Sequence, residues 1–524
     1  MHIGLYLDRS RHLRWHQWLL TALNETPGCR ASIVFAPQQR PLPRLLTQAF
    51  ALECAIYGRP AELAIDNVSV VNEAADNDGA KAEYDVLIDI AGLGGSLPAS
   101  RRVLTPLFNS VPTEVGAVAA LFDEGPVTVG IYDSCRTSVS LAAVPATRDR
   151  LVVTRALDGV LSRTIELLLK TLRRAPAADD WGAMRPPLTP MHRMPVLAAT
   201  PLDVAQRLGS KLVALIGGIA AGGHSWTTAY RLGGTRLLSQ HPADFTLLRD
   251  DRRRYYADPF PFVHAGQRYI FLEEFPFATQ RGCIAVAAID DDGQASTPRI
   301  VLEEPHHLSY PFVFEHDGDV WMIPESGEAK RIDLYRAERF PDRWTHEATL
   351  IDNVAAYDAT LLRHDGRLWL FASLARWSST SWDNLSLFHA ADLLGPWTAY
   401  ADNPVLLDAR KSRPGGAFFT HNGAILRPVQ DCSDVYGGDL AFERLDALTP
   451  TDYRQSEAGR IVSNMRGCHT YNRHGDIETI DVFGSTRGLT HITASYLPAA
   501  QPKTRQVADA AAAARAPEST SARI

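Results

Sequence analysis

The sequence predicts two architectures in one chain: an α/β domain over residues 1–173 and an all-β five-bladed propeller over residues 225–498. Three observations carry this reading. Apolar strands alternate with helical periodicity through the first third of the chain. Residues 174–203 then gather Pro176, Pro186, Pro187, Pro190, Pro195 and Pro201 with few periodic apolar positions, the composition of a linker. Beyond it a tight-turn signal recurs between apolar runs: His264-Ala265-Gly266, His316-Asp317-Gly318, His364-Asp365-Gly366, His421-Asn422-Gly423 and His474-Gly475. The turn glycines at 266, 318, 366, 423 and 475 are 52, 48, 57 and 52 residues apart. A strand-rich period near fifty residues is the signature of propeller blades.

In chain order, His2–Leu7 reads as a strand, Leu13–Asn24 as a helix and Ala31–Ala36 as a second strand, a β-α-β start. Leu42–Tyr57 is a predicted helix, and Tyr84–Ile90 a buried strand ending in the glycine turn Ala91-Gly92-Leu93-Gly94-Gly95. That turn lacks the spacing and the Lys-Ser/Thr of a phosphate-cradling loop. Glu114–Phe122 reads as a short helix, Val127–Tyr132 and Ser138–Val144 as strands, and Leu157–Leu172 as an amphipathic helix closing the domain. Residues 174–224 are linker and a connecting helix, Val204–Ala221. Trp226–Leu232 and Phe245–Arg249 are predicted strands, one of which completes the last blade and closes the ring. Residues 499–524, rich in Ala, Ser, Thr and Arg, are expected to be disordered.

The 524 residues carry a net charge of −7, which argues against nucleic-acid binding. Six cysteines without CxxC spacing suggest reduced thiols in a cytoplasmic protein and no zinc site. The most apolar run, Leu212 to Ala221, is too short to span a bilayer, although peripheral membrane contact is possible.

The repeat also indicates which residues share a rim. Eight positions before each turn glycine stand Asp258, Tyr310, Asp358, Gly415 and Gly467. Seven positions after stand Glu273, Glu325, Ser373, Gln430 and Val482. A hairpin folded at the glycine brings these sets side by side, and the first strand of each blade lines the channel. Several carboxylates should therefore gather at one mouth, accompanied by a ligand, a cation or shared protons. The catalytic candidates are Asp258, Asp358 and Glu325. The substrate-binding candidates are Glu273, His307, Tyr310, Arg413, Arg427, Gln430 and Asp431. Tyr256, Tyr310 and Tyr357 are candidates to stack on a sugar or to pack in the core. Of His306 and His307, read as neighbours in a strand, at most one can face the site. The histidine before each turn glycine is read as structural. For Asp258 the alternative is a turn-stabilising role before Pro259. For the arginines it is neutralisation of the acidic rim.

Three resemblances add to this reading. Tyr84–Ala91, Leu107–Pro112 and Gly125–Ile131 resemble the formyltransferase-like α/β fold. Asn109 matches that group's Asn, but no His follows it and its late Asp has only candidates such as Asp158, which implies a catalytically degenerate relative. Ala257-Asp258-Pro259, Tyr357-Asp358-Ala359 and Leu394-Gly395-Pro396-Trp397 resemble the five-bladed furanosidase-type glycosidases. That resemblance implies Asp258 as base or nucleophile, Asp358 as the residue tuning the acid, and a Glu in blade four as general acid. Blade four opens Arg413-Pro414-Gly415-Gly416-Ala417-Phe418 with no Glu, leaving Glu325 or Glu273 to supply the proton from another blade. Arg413 there favours an anionic group such as phosphate. Finally, Tyr256–Phe262, Phe271–Glu274, His306–Phe314, Met322–Ser326, Arg413–Gly416 and Arg427–Cys432 resemble the N-terminal domain of the plant glucosamine inositolphosphorylceramide transferases. In those proteins a separate glycosyltransferase domain follows the propeller, and none is expected here. The resemblance implies the propeller and an association with glycan or glycolipid assembly.

Three functions follow as expectations: an enzyme acting on a glycan or phospho-glycan in the propeller mouth, a glycan-binding propeller without turnover, and formyl or acyl transfer by the N-terminal domain. No cofactor is named by the sequence.

Overall fold

The computed structural model describes residues 1–57, 83–147, 152–174, 209, 225–233 and 242–499, apart from residues 12, 93–96, 123–124, 137 and 378. Most of the expected linker and of helix Val204–Ala221, the turn beyond Gly92 and the tail after residue 499 lie outside the described residues.

The first third is an α/β unit: β1 (His2–Leu7), α1 (Arg14–Glu25), β2 (Arg30–Phe35), α2 (Arg44–Tyr57), β3 (Tyr84–Asp89), β4 (Ser100–Phe108), β5 (Val111–Pro112), α3 (Thr113–Phe122), β6 (Val129–Asp133), β7 (Ser138–Ala143) and α4 (Val153–Arg173). The sheet order is β2-β1-β3-β4-β6-β7, with β5 on β4. Neighbours are parallel as far as β4 and antiparallel beyond it. Side chains alternate across the sheet, so β1 and β3 feed two cores. Ile3, Leu5, Val86 and Ile88 join one cluster with α1, α3 and α4, while Tyr6, Leu87 and Val103 join another. Asn109 sits in a left-handed turn at φ 45°, and its side-chain carbonyl accepts from the Thr128 amide at 2.8 Å.

The propeller follows as a ring of sheets. Blade one is Arg254–His264, Gln267–Pro276, Cys283–Ile289 and Arg299–Leu302. Blade two is Ser309–His316, Asp319–Glu325, Arg331–Arg339 and Arg343–Asp352. Blade three is Ala356–His364, Arg367–Leu374, Asn384–Ala390 and Thr398–Ala399, and blade four Phe419–His421, Ala424–Asp431, Asp439–Leu448 and Tyr453–Ser463. Blade five is Tyr471–His474 and Ile477–Gly484, completed by two strands from before blade one, Ser225–Leu232 and Ala243–Leu247. The sequence assigned one such strand to the closure; both take part. His491–Pro498 then pairs with Ala243–Leu247 on one side and Tyr453–Ser463 on the other, joining blades four and five into one nine-stranded sheet.

The far ends of the blades carry the turn signals. Ala265-Gly266, Asp317-Gly318, Asp365-Gly366 and Asn422-Gly423 all have positive φ at both residues, the two-residue type I′ turn that matches strand twist. At the opposite ends the inner strands of blades one to three each carry a bulge, between Ala257 and Phe260, Ser309 and Phe312, and Tyr357 and Thr360. The bulged residues Asp258, Tyr310 and Asp358 are left-handed, at φ 48°, 44° and 55°. The pairing is therefore offset by one from the sequence expectation: Glu273 faces Ala257, Glu325 faces Ser309 and Ser373 faces Tyr357.

The sequence reads helix α4 as an amphipathic helix closing its own domain. Instead both faces are buried, because blade three covers the polar one. Arg163 pairs with Asp383 and Glu166, and Lys170 donates to the carbonyls of Asp402 and Pro404. A parallel bridge between Val144 and Asp408 continues the edge of the α/β sheet into the propeller.

Candidate active site at the propeller mouth

The three bulges aim their residues at the axis and free backbone amides that the ladder would otherwise use. In blades one and two the freed amide meets a carboxylate of the preceding blade. The Asp258 N–H donates to Asp481 Oδ2 at 3.0 Å, and the Tyr310 N–H donates to Asp258 Oδ2 at 3.2 Å. A left-handed tyrosine is a costly backbone state that persists only where surroundings enforce it. Here the Tyr310 ring is buried and its hydroxyl shares a hydrogen bond with Thr360 Oγ1 at 2.9 Å.

Five carboxyl groups converge: Asp258, Glu273, Glu325, Asp358 and Asp481, each no more than 6% exposed. Two cations stand among them. Arg413 Nε donates to Asp358 Oδ2 at 2.6 Å, its Nη1 to Ser381 Oγ at 2.6 Å, and its guanidinium lies over the Tyr357 and Tyr436 rings. His469 sits between Asp258 Oδ1, 3.2 Å from Nε2, and Asp481 Oδ2, 2.8 Å from Nδ1. The second contact is an ion pair, Nδ1 making no hydrogen bond. Asp481 Oδ1 accepts from the amides of His469 and Thr470 at 3.0 and 2.9 Å. Ligand-type atoms of Asp258, His469 and Asp481 lie within 4.8 Å of one another. The charged imidazole itself supplies a positive charge between the two carboxylates.

Environment splits the protonation states. Burial raises the Asp258 carboxyl, but His469, the Thr470 hydroxyl at 2.8 Å and Arg413 outweigh it and hold the group below the usual carboxylate range. Burial opposes the His469 charge, yet Asp481 and Asp258 raise it to about 10. Glu325 is pushed up to about 7 by burial and then by Asp358, despite donors at the Gly327 amide (2.5 Å) and Ser309 Oγ (3.0 Å). Glu273 is raised well above its ordinary value by burial and by Asp258. Asp358 is also raised, burial outweighing the Arg413 contact. The mouth thus holds one carboxyl lowered below its ordinary value beside three raised above theirs.

His307 bridges the two glutamates. Its Nδ1 accepts the Gly282 amide at 3.0 Å, which leaves Nε2 3.5 Å from Glu273 Oε1 and 3.9 Å from Glu325 Oε2. Burial keeps this ring's proton affinity low, so it is a neutral Nε2–H tautomer. Both adjacent histidines lie in the loop before blade two, not in a strand, and His307 is the one facing the mouth.

Gln430 Nε2 donates to Asp358 Oδ2 at 3.0 Å and to the Pro414 carbonyl at 2.8 Å. Two other sequence candidates stand apart. Arg427 is buried beneath blade four, holding the carbonyls of Lys411 and Ser412 and so anchoring the loop into Arg413. Asp431 caps a turn through the amide and hydroxyl of Ser433.

Half-buried aromatics overlie the carboxylates. Trp226 packs on His469 with ring centroids 3.9 Å apart, and Tyr436 packs on Trp382 at 5.5 Å. Tyr255 stacks on Phe275 at 4.9 Å, and Tyr357 lies under Arg413. Of the tyrosines considered from sequence, Tyr256 and Tyr310 are core residues and Tyr357 is at the rim. His469, Asp481, Tyr255, Tyr436, Trp226 and Trp382 were missed. Asp481 had a signal, being a lone carboxylate in the apolar run Ile480-Asp481-Val482-Phe483.

Fold and mouth together define a five-bladed β-propeller with a buried cluster of carboxyl groups, an arginine and a histidine at one end of its axis. Residues 250–482 match the family described as glucosamine inositolphosphorylceramide transferase 1, N-terminal. The protein of that name from Oryza sativa subsp. japonica is 36% identical over 205 residues, 38% of this chain and 27% of its own length. That from Arabidopsis thaliana is 31% identical over 235 residues, 43% of this chain and 31% of its own. The chain therefore spans under a third of these relatives. Among solved structures, a family 117 glycoside hydrolase from Zobellia galactanivorans superposes at a TM-score of 0.32 and 14% identity, covering 49% of this chain and 90% of that one. RS223 β-xylosidase superposes at 0.35 and 12% identity, covering 46% and 92%.

Proposed function

We propose that the propeller acts on a glycan or phospho-glycan, or on the head of a glycolipid, during assembly of a polysaccharide or glycolipid. The observation that carries this reading is the split among the mouth carboxyls: Asp258 held ionised, Glu325 pushed up to about 7. Two carboxyls driven apart in this way are the means by which one site runs acid and base chemistry together. Asp258 is the base or nucleophile, Glu325 the proton donor from Oε2, the oxygen beside Ser309 and His307, and Asp358 with Arg413 sets the field around them. The half-buried aromatics offer flat apolar faces to a sugar ring. The relatives' name supports a saccharide-bearing phospholipid as one substrate class. Glu325 takes the place of the blade-four acid that the furanosidase-type pattern requires.

Turnover and binding of a glycan panel by wild type, Asp258→Asn and Glu325→Gln test the proposal. Each variant should bind glycan yet lose about 10²–10⁴-fold in turnover. Equal binding with no turnover by any of the three would leave a glycan-binding propeller and remove the enzyme.

A further inference from the structure

Outside the carboxylate cluster, the mouth face carries a second concavity of opposite charge. A cleft of about 420 Å³ opens between blade five and blade one, walled by the start of strand Ser225–Leu232, the loop 247–254 and the glycine-flanked loop 484–490. Its volume falls in the range of small-ligand sites, roughly 300–1,000 Å³. Four arginines line it, Arg249, Arg252, Arg254 and Arg487, against one carboxylate, Asp250. Arg254 is neutralised by Asp251 and Glu274. Among the described residues, the exposed Arg249, Arg252 and Arg487 make no side-chain hydrogen bond or ion pair, while Asp250 is occupied by the Arg252 amide at 2.7 Å. Three unpaired guanidinium groups in one cleft stand out in a chain whose net charge is −7. Like charges held together without a counter-charge repel, and an anion relieves that repulsion.

The cleft is joined to the carboxylates by an aromatic shelf. Phe277 lines the cleft and is 43% exposed. Tyr255 lies 6.2 Å from Phe277 and stacks on Phe275 at 4.9 Å, and Phe275 lies 6.1 Å from His307, which touches Glu273 and Glu325. Tyr255 feels the charges of Glu273, Asp258 and Asp481, which sets it beside the mouth. One continuous surface therefore runs from arginines, over aromatic faces, to the acid–base cluster.

We propose that the cleft is the phosphoryl subsite for a phosphorylated saccharide whose sugar ring lies on the Tyr255–Phe275–Phe277 shelf. The sugar half rests on the glycan reading of the mouth; the phosphoryl half stands on the arginines alone. Guanidinium forks match phosphate oxygens in geometry and charge. The aromatic shelf gives a sugar phosphate an advantage over the bare anion.

Titration calorimetry on the full chain tests this with inorganic phosphate, glucose 1-phosphate, glucose, and vesicles containing phosphatidylinositol. Glucose 1-phosphate should bind at least tenfold tighter than inorganic phosphate, and both should weaken with salt. Arg249→Gln/Arg487→Gln, both surface changes, should weaken both ligands at least tenfold. Phe277→Ala should remove only the advantage of the sugar phosphate, and Asp258→Asn should leave phosphate affinity within twofold. Absence of phosphate binding, affinity unchanged in the arginine double variant, or binding confined to the vesicles would overturn the subsite. Failure here with turnover lost in Asp258→Asn leaves the glycan site standing. Phosphate binding that needs Arg249 and Arg487, with no turnover of any glycan, leaves the subsite without the enzyme.

Discussion

His469 is the residue on which the mouth's charge balance turns. Buried between Asp481 and Asp258, it is raised to about 10. A group raised on folding contributes stability in full below its unfolded value of 6.5, and that contribution is lost as pH rises through about 10. His469→Gln leaves two buried carboxylates facing each other and should cost about 3–5 kcal/mol near neutral pH. Chemical denaturation at several pH values checks this: the gap between wild type and variant should shrink as pH climbs toward 10. Glu325 also lowers stability as pH rises, but as a cost incurred and not a gain lost. Its carboxyl, pushed up to about 7, makes folding less favourable as pH rises from 4.5 through about 7, and in the folded protein its proton leaves around pH 7. Any turnover should show an alkaline limb near pH 7 that is absent from the residual rate of Glu325→Gln. Asp258, Asp358, Glu273 and Glu325 were legible because they fall at fixed offsets from the turn glycines. His469 was not, because in blade five those offsets point to Gly467 and Val482, and no local pattern marks a histidine two residues further on.

At the scale of the element, the bulged inner strands make the site. They cost register and set three residues left-handed, and in return they direct amides and carboxylates across blade boundaries. Blade four departs from this scheme for a steric reason. A Cβ at Gly415 would lie 2.9 Å from the His469 carbonyl, and one at Gly416, at φ 145°, only 2.0 Å from the Tyr471 carbonyl. Neither position can carry a glutamate while blade five keeps its place. The motif Arg413-Pro414-Gly415-Gly416 therefore trades an acid for close approach of two blades. Gly416→Ala should destabilise by about 1–3 kcal/mol, measured as a shifted denaturation midpoint. It should also weaken whatever turnover depends on the Asp358–Arg413 pair, since Arg413 lies three residues away. The glycine pair was visible in the sequence as a missing acid; its cause lies in a contact between segments more than fifty residues apart, which periodicity does not report.

Across the whole molecule, the ring is closed by its own beginning and end. Strands Ser225–Leu232 and Ala243–Leu247 complete the blade that Tyr471–His474 and Ile477–Gly484 start. The fifty-residue period made the blades legible, but not the seam between the two folds, because buried charge on a helix reads as a solvated face. In the structure Arg163 is fully buried and holds Asp383 of the propeller together with Glu166 of its own helix. Arg163→Met should leave both carboxylates unpaired and cost about 3–5 kcal/mol, seen as a lower thermal midpoint with α/β and propeller signals no longer melting together. What unites the scales is a single arrangement at the axis: one carboxyl held below the usual carboxylate range beside others raised above it. Carbon-13 labelling of the glutamate carboxyls, with Glu325→Gln to assign the resonance, reads it directly. The Glu325 carboxyl should titrate at about 7; titration near 4.5, the value of an unperturbed glutamate, would contradict the arrangement.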